Sequence, residues 1–158
     1  MIIEKISTVR KDLKNLLGIL KIVRAELKKA KENVQLAGKT LRAANLEQSS
    51  QFGFYDEIRS HLNILSNYIQ IRLDERKAIL FDELSKNSSL DYGERAREKL
   101  IESDSGYIDL KLQKLEVDEL LDYAKSISEQ FRMRAFSLNN ISKLVAAQSQ
   151  DEFFTLNE

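Results

Sequence analysis

From Ile2 to Ala44 the apolar residues recur at alternating steps of four and three without a miss: Ile2, Ile6, Val9, Leu13, Leu16, Leu20, Val23, Leu27, Ala30, Val34, Ala37, Leu41 and Ala44. A 4/3 alternation keeps one stripe on one side of an α-helix, so the pattern predicts a heptad seam on a helix from about Ile3 to Ala44, roughly 65 Å long at about 1.5 Å per residue. A stripe of that length is more than a small lone domain is expected to bury, which points to a partner surface. Leu prevails at seam positions followed by a three-residue step, and Val and Ala at those followed by a four-residue step, a distribution that disfavours a simple parallel dimer. Higher assembly or a mixed bundle is therefore expected.

The polar run Asn45 to Gly53 reads as a connection. Beyond it a second helix is predicted from about Phe54 to Leu84, carrying the stripe Tyr55, Ile58, Leu62, Leu65 and Ile69, with Leu73, Leu80 and Leu84 continuing it. It closes at the polar stretch Ser85 to Ser89. Asp91 followed by Glu94 has the spacing of a reciprocal helix cap, so a third helix is placed there, with Ser103, Ser105 and Gly106 as interruptions. A further strict series begins at Leu110 and continues through Gln113, Val117, Leu120, Ala124, Ile127, Phe131, Arg134, Leu138, Ile141 and Val145. The organisation expected is a basic heptad helix over residues 1–47, a helical assembly domain over 54–147 and an acidic-aromatic tail over 148–158. The fold class is all-α, with long coiled-coil-like helices forming an oligomeric helical bundle or ring.

Composition strengthens the helical expectation. The chain has no proline and only five glycines in 158 residues, so few positions force the backbone out of a helix. The absence of cysteine removes disulfides and thiolate metal sites and suits a reducing cytoplasm. The start of the chain lacks a signal-peptide pattern and no apolar run is long enough to cross a membrane, so a cytoplasmic protein without a membrane partner is expected.

Charge adds a polarity that the zero net balance conceals. Residues 1–47 carry eleven Lys or Arg against five Asp or Glu, whereas residues 102–130 carry three against eight. On the first helix Arg10, Lys14, Lys21, Arg24, Lys28, Lys31 and Arg42 share one flank beside the seam. Such a row can follow a phosphate backbone by Coulomb attraction and counterion release, or it can face the acidic later helix of the same assembly. Arg134 is the odd member of the last apolar series, since a guanidinium there needs a carboxylate, a carbonyl, an anionic ligand or a wet edge to snorkel to.

Enzymatic chemistry is scarce. There is no phosphate-cradling glycine loop, no Gly-x-Ser-x-Gly elbow and no cysteine nucleophile, and His61 is the only histidine, too few for paired Glu-x-x-His metal ligands. The acidic pairs Asp56-Glu57, Asp74-Glu75 and Asp82-Glu83 each stand beside Arg or Lys at helical spacing, as surface ion pairs do. No enzyme, metal or cofactor is expected. Phe153, Phe154 and Leu156 among the acidic residues of the tail form an amphipathic plug suited to a basic groove, of a partner or of the chain itself.

The stretches Ile101-Glu102-Ser103-Asp104, Leu120-Leu121-Asp122-Tyr123 and Arg134-Ala135-Phe136, with Leu138 and Ile141, keep an order and spacing that resembles the carboxy-terminal half of the UvsY family of phage recombination mediators. The likeness covers about 40 of the 158 residues. It implies a small all-helical ring that binds single-stranded DNA, touches the single-strand binding protein and helps a recombinase load in its place. It also implies that Leu110 to Val145 drive homo-oligomerisation, with Leu120, Ile127, Phe131, Arg134, Leu138 and Ile141 as the assembly residues. By order along the chain the family's Tyr-Tyr-Ser-Gly turn falls on Glu83-Leu84-Ser85-Lys86, where the serine alone matches, and the nearest basic residues are Arg72, Arg76 and Lys77. These three, with Arg10, Lys14, Lys21, Arg24, Lys28 and Lys31, are the candidate DNA contacts. The competing expectation is a structural coiled-coil adaptor whose basic helix meets protein.

Overall fold

The computed structural model of the chain describes residues 2–9, 13–36, 38–87 and 93–155, the side chains of 87 and 149–155 excepted. Among the described residues it is all-α: α1 (Ile2–Val9), a short 3-10 turn (Leu13–Asn15), α2 (Leu16–Val34), α3 (Leu41–Asn87), α4 (Glu94–Glu102) and α5 (Ser105–Thr155). The chain divides into two compact units, Met1–Arg24 with Ser60–Asp122, and Ala25–Arg59 with Tyr123–Glu158.

In the first unit the leading stripe lands inside the chain itself. Ile6, Val9, Leu16, Leu20 and Val23 are buried with Leu62, Leu65 and Ile69 of α3, Ile101 of α4, and Val117 and Leu120 of α5. Each such side chain taken wholly out of water contributes about 1.5 to 3 kcal/mol, so this stripe is the main source of the unit's cohesion. Two polar contacts fix the helix pairs: the Ser7 hydroxyl lies 3.1 Å from His61 Nδ1, and the Ser66 hydroxyl donates to Asp118.

The second unit is built around an aromatic pair. Tyr55 of α3 stacks on Phe131 of α5 with ring centroids 5.3 Å apart and planes 17° from parallel. Asn33 of α2 donates to the Tyr55 hydroxyl at 3.1 Å, and Gln48 Nε2 donates to the Phe131 carbonyl at 2.7 Å, so all three helices are tied at one level. Leu27, Ala30, Ala44, Ile58, Ala124, Ile127 and Leu138 complete the core.

Two sequence expectations are corrected. The first helix is not continuous to Ala44: α2 ends at Val34, and Gly38 adopts φ 76°, a left-handed conformation that glycine enters without a Cβ clash. Thr40 then starts α3, its Oγ1 accepting from the Ala43 amide at 3.2 Å as an N-cap does. Asn45 to Gly53 is accordingly helix, not connection, and lies within α3. The interruption expected over Ser103, Ser105 and Gly106 is present: α4 ends at Glu102 and α5 begins at Ser105, capped by Asp104, which accepts from the Tyr107 amide at 2.8 Å. The predicted cap at Asp91 lies outside the described residues, as do Ala37 and the side chains of the tail beyond Gln148. Glu94 opens α4 behind Gly93, which supplies no side-chain cap.

The larger correction concerns the seam. Its buried members are covered by helices of the same chain, so the argument that its length demands a second molecule fails. The period tells which side of a helix is hidden; it does not tell whose residues hide it.

Candidate functional site

The basic flank of the leading segment turns toward the acidic helix of its own chain. Arg24 reaches α5 with Nη2 3.3 Å from Glu116 Oε2 and 3.0 Å from Glu119 Oε2, one guanidinium bridging carboxylates one turn apart. Lys31 places its ammonium 5.5 Å from the centre of the Tyr123 ring, within cation-π range. Lys14 and Lys21 are exposed in the first unit and Lys28 and Arg42 in the second, while Arg10 lies outside the described residues. Of the two fates that the flank's charge allowed, contact with the acidic helix is the one that Arg24 adopts.

The basic trio near the end of α3 is likewise partly engaged. Arg72 pairs with Glu75 at 2.9 Å, and Arg76 grips Asp104 with two parallel bonds, Nε to Oδ1 at 3.0 Å and Nη2 to Oδ2 at 2.8 Å. Asp104 is thus shared between a guanidinium and the first turn of α5. The Arg76 contact foremost, then the Tyr107 amide, hold its carboxyl below the usual carboxylate range, and the same bond raises the Arg76 guanidinium above its usual value. Gly106 fits this crowding, since a Cβ there would stand 3.3 Å from Asp104 Oδ1 and 3.5 Å from Arg76 Nε. Lys77 is exposed.

Of the candidate assembly residues, Leu120, Ile127, Phe131, Arg134 and Leu138 are interior to the single chain, and only Ile141 is exposed. A side chain already packed inside offers no surface to a second copy in this conformation. Arg134 does not snorkel: its side chain is 2% exposed, over the Phe131 ring at 5.9 Å, with Nη2 3.5 Å from the Ala44 carbonyl and 4.0 Å from Glu47 Oε2. Its Nε and Nη1 are buried without a hydrogen-bond partner. Lys39 foremost, with Arg134 adding in the same direction, holds the Glu47 carboxyl below its ordinary range.

Reactive constellations are sparse among the described residues. No group of three or more His, Asp or Glu side chains is placed to hold a metal ion. His61 is engaged with Ser7, and Ser66, Lys114 and Asp118 form a compact polar cluster on α3 and α5, with Lys114 Nζ 2.6 Å from Asp118 Oδ2. The acidic pairs behave as surface ion pairs, Asp56 with Arg59 and Asp82 with Lys86. Among the described residues no helix is long and apolar enough to cross a membrane.

One surface was overlooked in the sequence. Leu17, Leu112 and Leu115 border a groove of about 530 Å³ in the first unit, together with Asp109, Gln113, Glu116 and Glu119. Leu17 was hidden by standing in the basic series between Lys14 and Lys21. Leu112 and Leu115 lie off the buried series of α5, yet with Ile108 they keep a 4/3 spacing of their own.

No protein-family model, no curated protein and no solved structure matches this chain.

Proposed function

We propose that this chain is a non-enzymatic helical assembly protein that works by presenting helix surfaces to other proteins. The observation that carries the reading is Arg24 bridging Glu116 and Glu119: a central cation of the row that suited a phosphate backbone is spent on the chain's own acidic helix. Arg72 and Arg76 are spent in the same way on Glu75 and Asp104. Among the large apolar residues exposed on the first unit, Leu17, Leu112 and Leu115 share one groove and are side chains a helix-docking protein would use.

The second reading is the recombination mediator, which binds single-stranded DNA and assists recombinase loading alongside the single-strand binding protein. The exposed ammonium groups of Lys21, Lys28 and Lys77 favour it. Titration of a labelled oligothymidine at low salt separates the two. The assembly reading expects no binding; clear binding that weakens steeply as salt rises overturns it in favour of the mediator, because such a slope measures phosphate contacts.

A further inference from the structure

We propose that the groove of Leu17, Leu112 and Leu115 receives a basic amphipathic helix from a partner protein, an inference that rests on the assembly reading. The three leucines are 59%, 56% and 59% exposed although they converge on one concavity. Ile108, one turn before Leu112, extends the apolar strip along α5, and its 4/3 spacing is the register in which a second helix packs. Beyond Leu115 the same spacing continues into Glu119 and Asp122, so a helix laid along this face meets leucines first and carboxylates next.

Charge selects the occupant. The groove's lining holds three carboxylates, Asp109, Glu116 and Glu119, and no cation. Arg24 at its edge holds Glu116 and Glu119 and offsets one of those charges, and exposed Lys14 and Lys21 flank Leu17, so the α5 side of the groove is acidic and the α2 side basic. A second copy is a poor fit: α5 against α5 in parallel sets Glu119 and Asp122 on their own kind, and in antiparallel sets them on Ile108 and Leu112. The basic helix of a second copy, α2, has its apolar seam buried in its own core. A helix with apolar residues at three- and four-residue spacing flanked by Lys or Arg satisfies both parts of the face.

The test uses the full chain and two labelled helical peptides, each with leucines at the a and d heptad positions, one carrying lysines at e and g and the other glutamates. Fluorescence anisotropy is expected to show the lysine peptide binding with an affinity that falls as salt is added, and the glutamate peptide at least about tenfold weaker. The double variant Leu112→Ser with Leu115→Ser, checked for unchanged helicity by circular dichroism, is expected to lose at least about tenfold in affinity, and Asp109→Lys to weaken the lysine peptide specifically. Equal binding of the two peptides, or affinity unmoved by the double variant, overturns the proposal. So does a wild-type dimer in sedimentation that the double variant converts to monomer, which assigns the groove to a second copy. An oligothymidine titration in the same buffer keeps the failures apart. Peptide failure without DNA binding overturns the groove alone, and clear DNA binding overturns the assembly reading beneath it.

Discussion

Arg76 and Asp104 meet in a two-bond clasp, and the same aspartate caps α5 through the Tyr107 amide. One carboxylate therefore decides both where the last helix begins and how that beginning is held to α3. Asp104→Ala is expected to lower the melting temperature more than Arg76→Ala does, because it removes cap and clasp together, whereas Asp104→Asn retains a capping oxygen and falls between them. Since contact with Arg76 holds the Asp104 carboxyl below its usual value near 3.8, its contribution is complete above that value and fades as pH falls through the lower, folded one. Thermal melts of wild type and Asp104→Asn should differ at pH 7 and converge at strongly acid pH.

Tyr55 carries the opposite sign. Burial, foremost, pushes its phenol above the ordinary value of 10.0, so the neutral form favours the folded state and stability is lost as pH rises through and beyond that region. Tyr55→Phe is expected to reduce this alkaline loss while costing about 1 kcal/mol at neutral pH, because Asn33 loses the hydroxyl that accepts its bond. Denaturant midpoints at pH 7 and above pH 10 check both parts.

Arg134 is buried with two nitrogens unmatched, so its desolvation is only partly offset by the Ala44 carbonyl and Glu47. Arg134→Met keeps the stem and removes the charge. The expected result is a stability unchanged or raised by about 1 kcal/mol or more, as for other buried charges replaced by apolar groups. A loss of several kcal/mol in urea unfolding would mean that the guanidinium is better satisfied than its distances indicate.

Two glycines give a matched pair. Gly38 sits at φ 76° in open space, so Gly38→Ala meets no neighbour and costs about 1 to 2 kcal/mol of backbone strain alone. Gly53 lies within α3, also in open space, and Gly53→Ala is expected to stabilise by about 0.5 to 1 kcal/mol. Opposite shifts in the melting temperature are the expected reading.

Helix faces were legible in the sequence because a 4/3 period leaves no choice of side: Tyr55, Ile58, Leu62, Leu65 and Ile69 are all buried as their spacing requires. Helix ends were not. The unbroken apolar series across Val34, Ala37 and Leu41 masked the Gly38 and Thr40 signals, and the polar run before Gly53 looked like a connection although Tyr55 and Ala44 anchor it in a core. A glycine in an exposed helix position costs only about 1 kcal/mol, less than one buried leucine contributes. As for the candidate site, the sequence exposed the basic row and the acidic helix but left open whether they met; Arg24 with Glu119 answers that, 95 residues apart in the chain. The leucine groove stayed hidden because its members come from two helices and belong to neither principal stripe.

In this fold one molecule covers the buried members of its own longest apolar seam. Thermal unfolding followed by circular dichroism over a wide dilution series tests it most directly, since a fold that depends on association has a melting temperature that falls with concentration. A midpoint and helicity that stay constant on dilution are predicted. A midpoint that drops steadily, with helicity lost in the most dilute samples, would contradict the claim and return the seam to a partner.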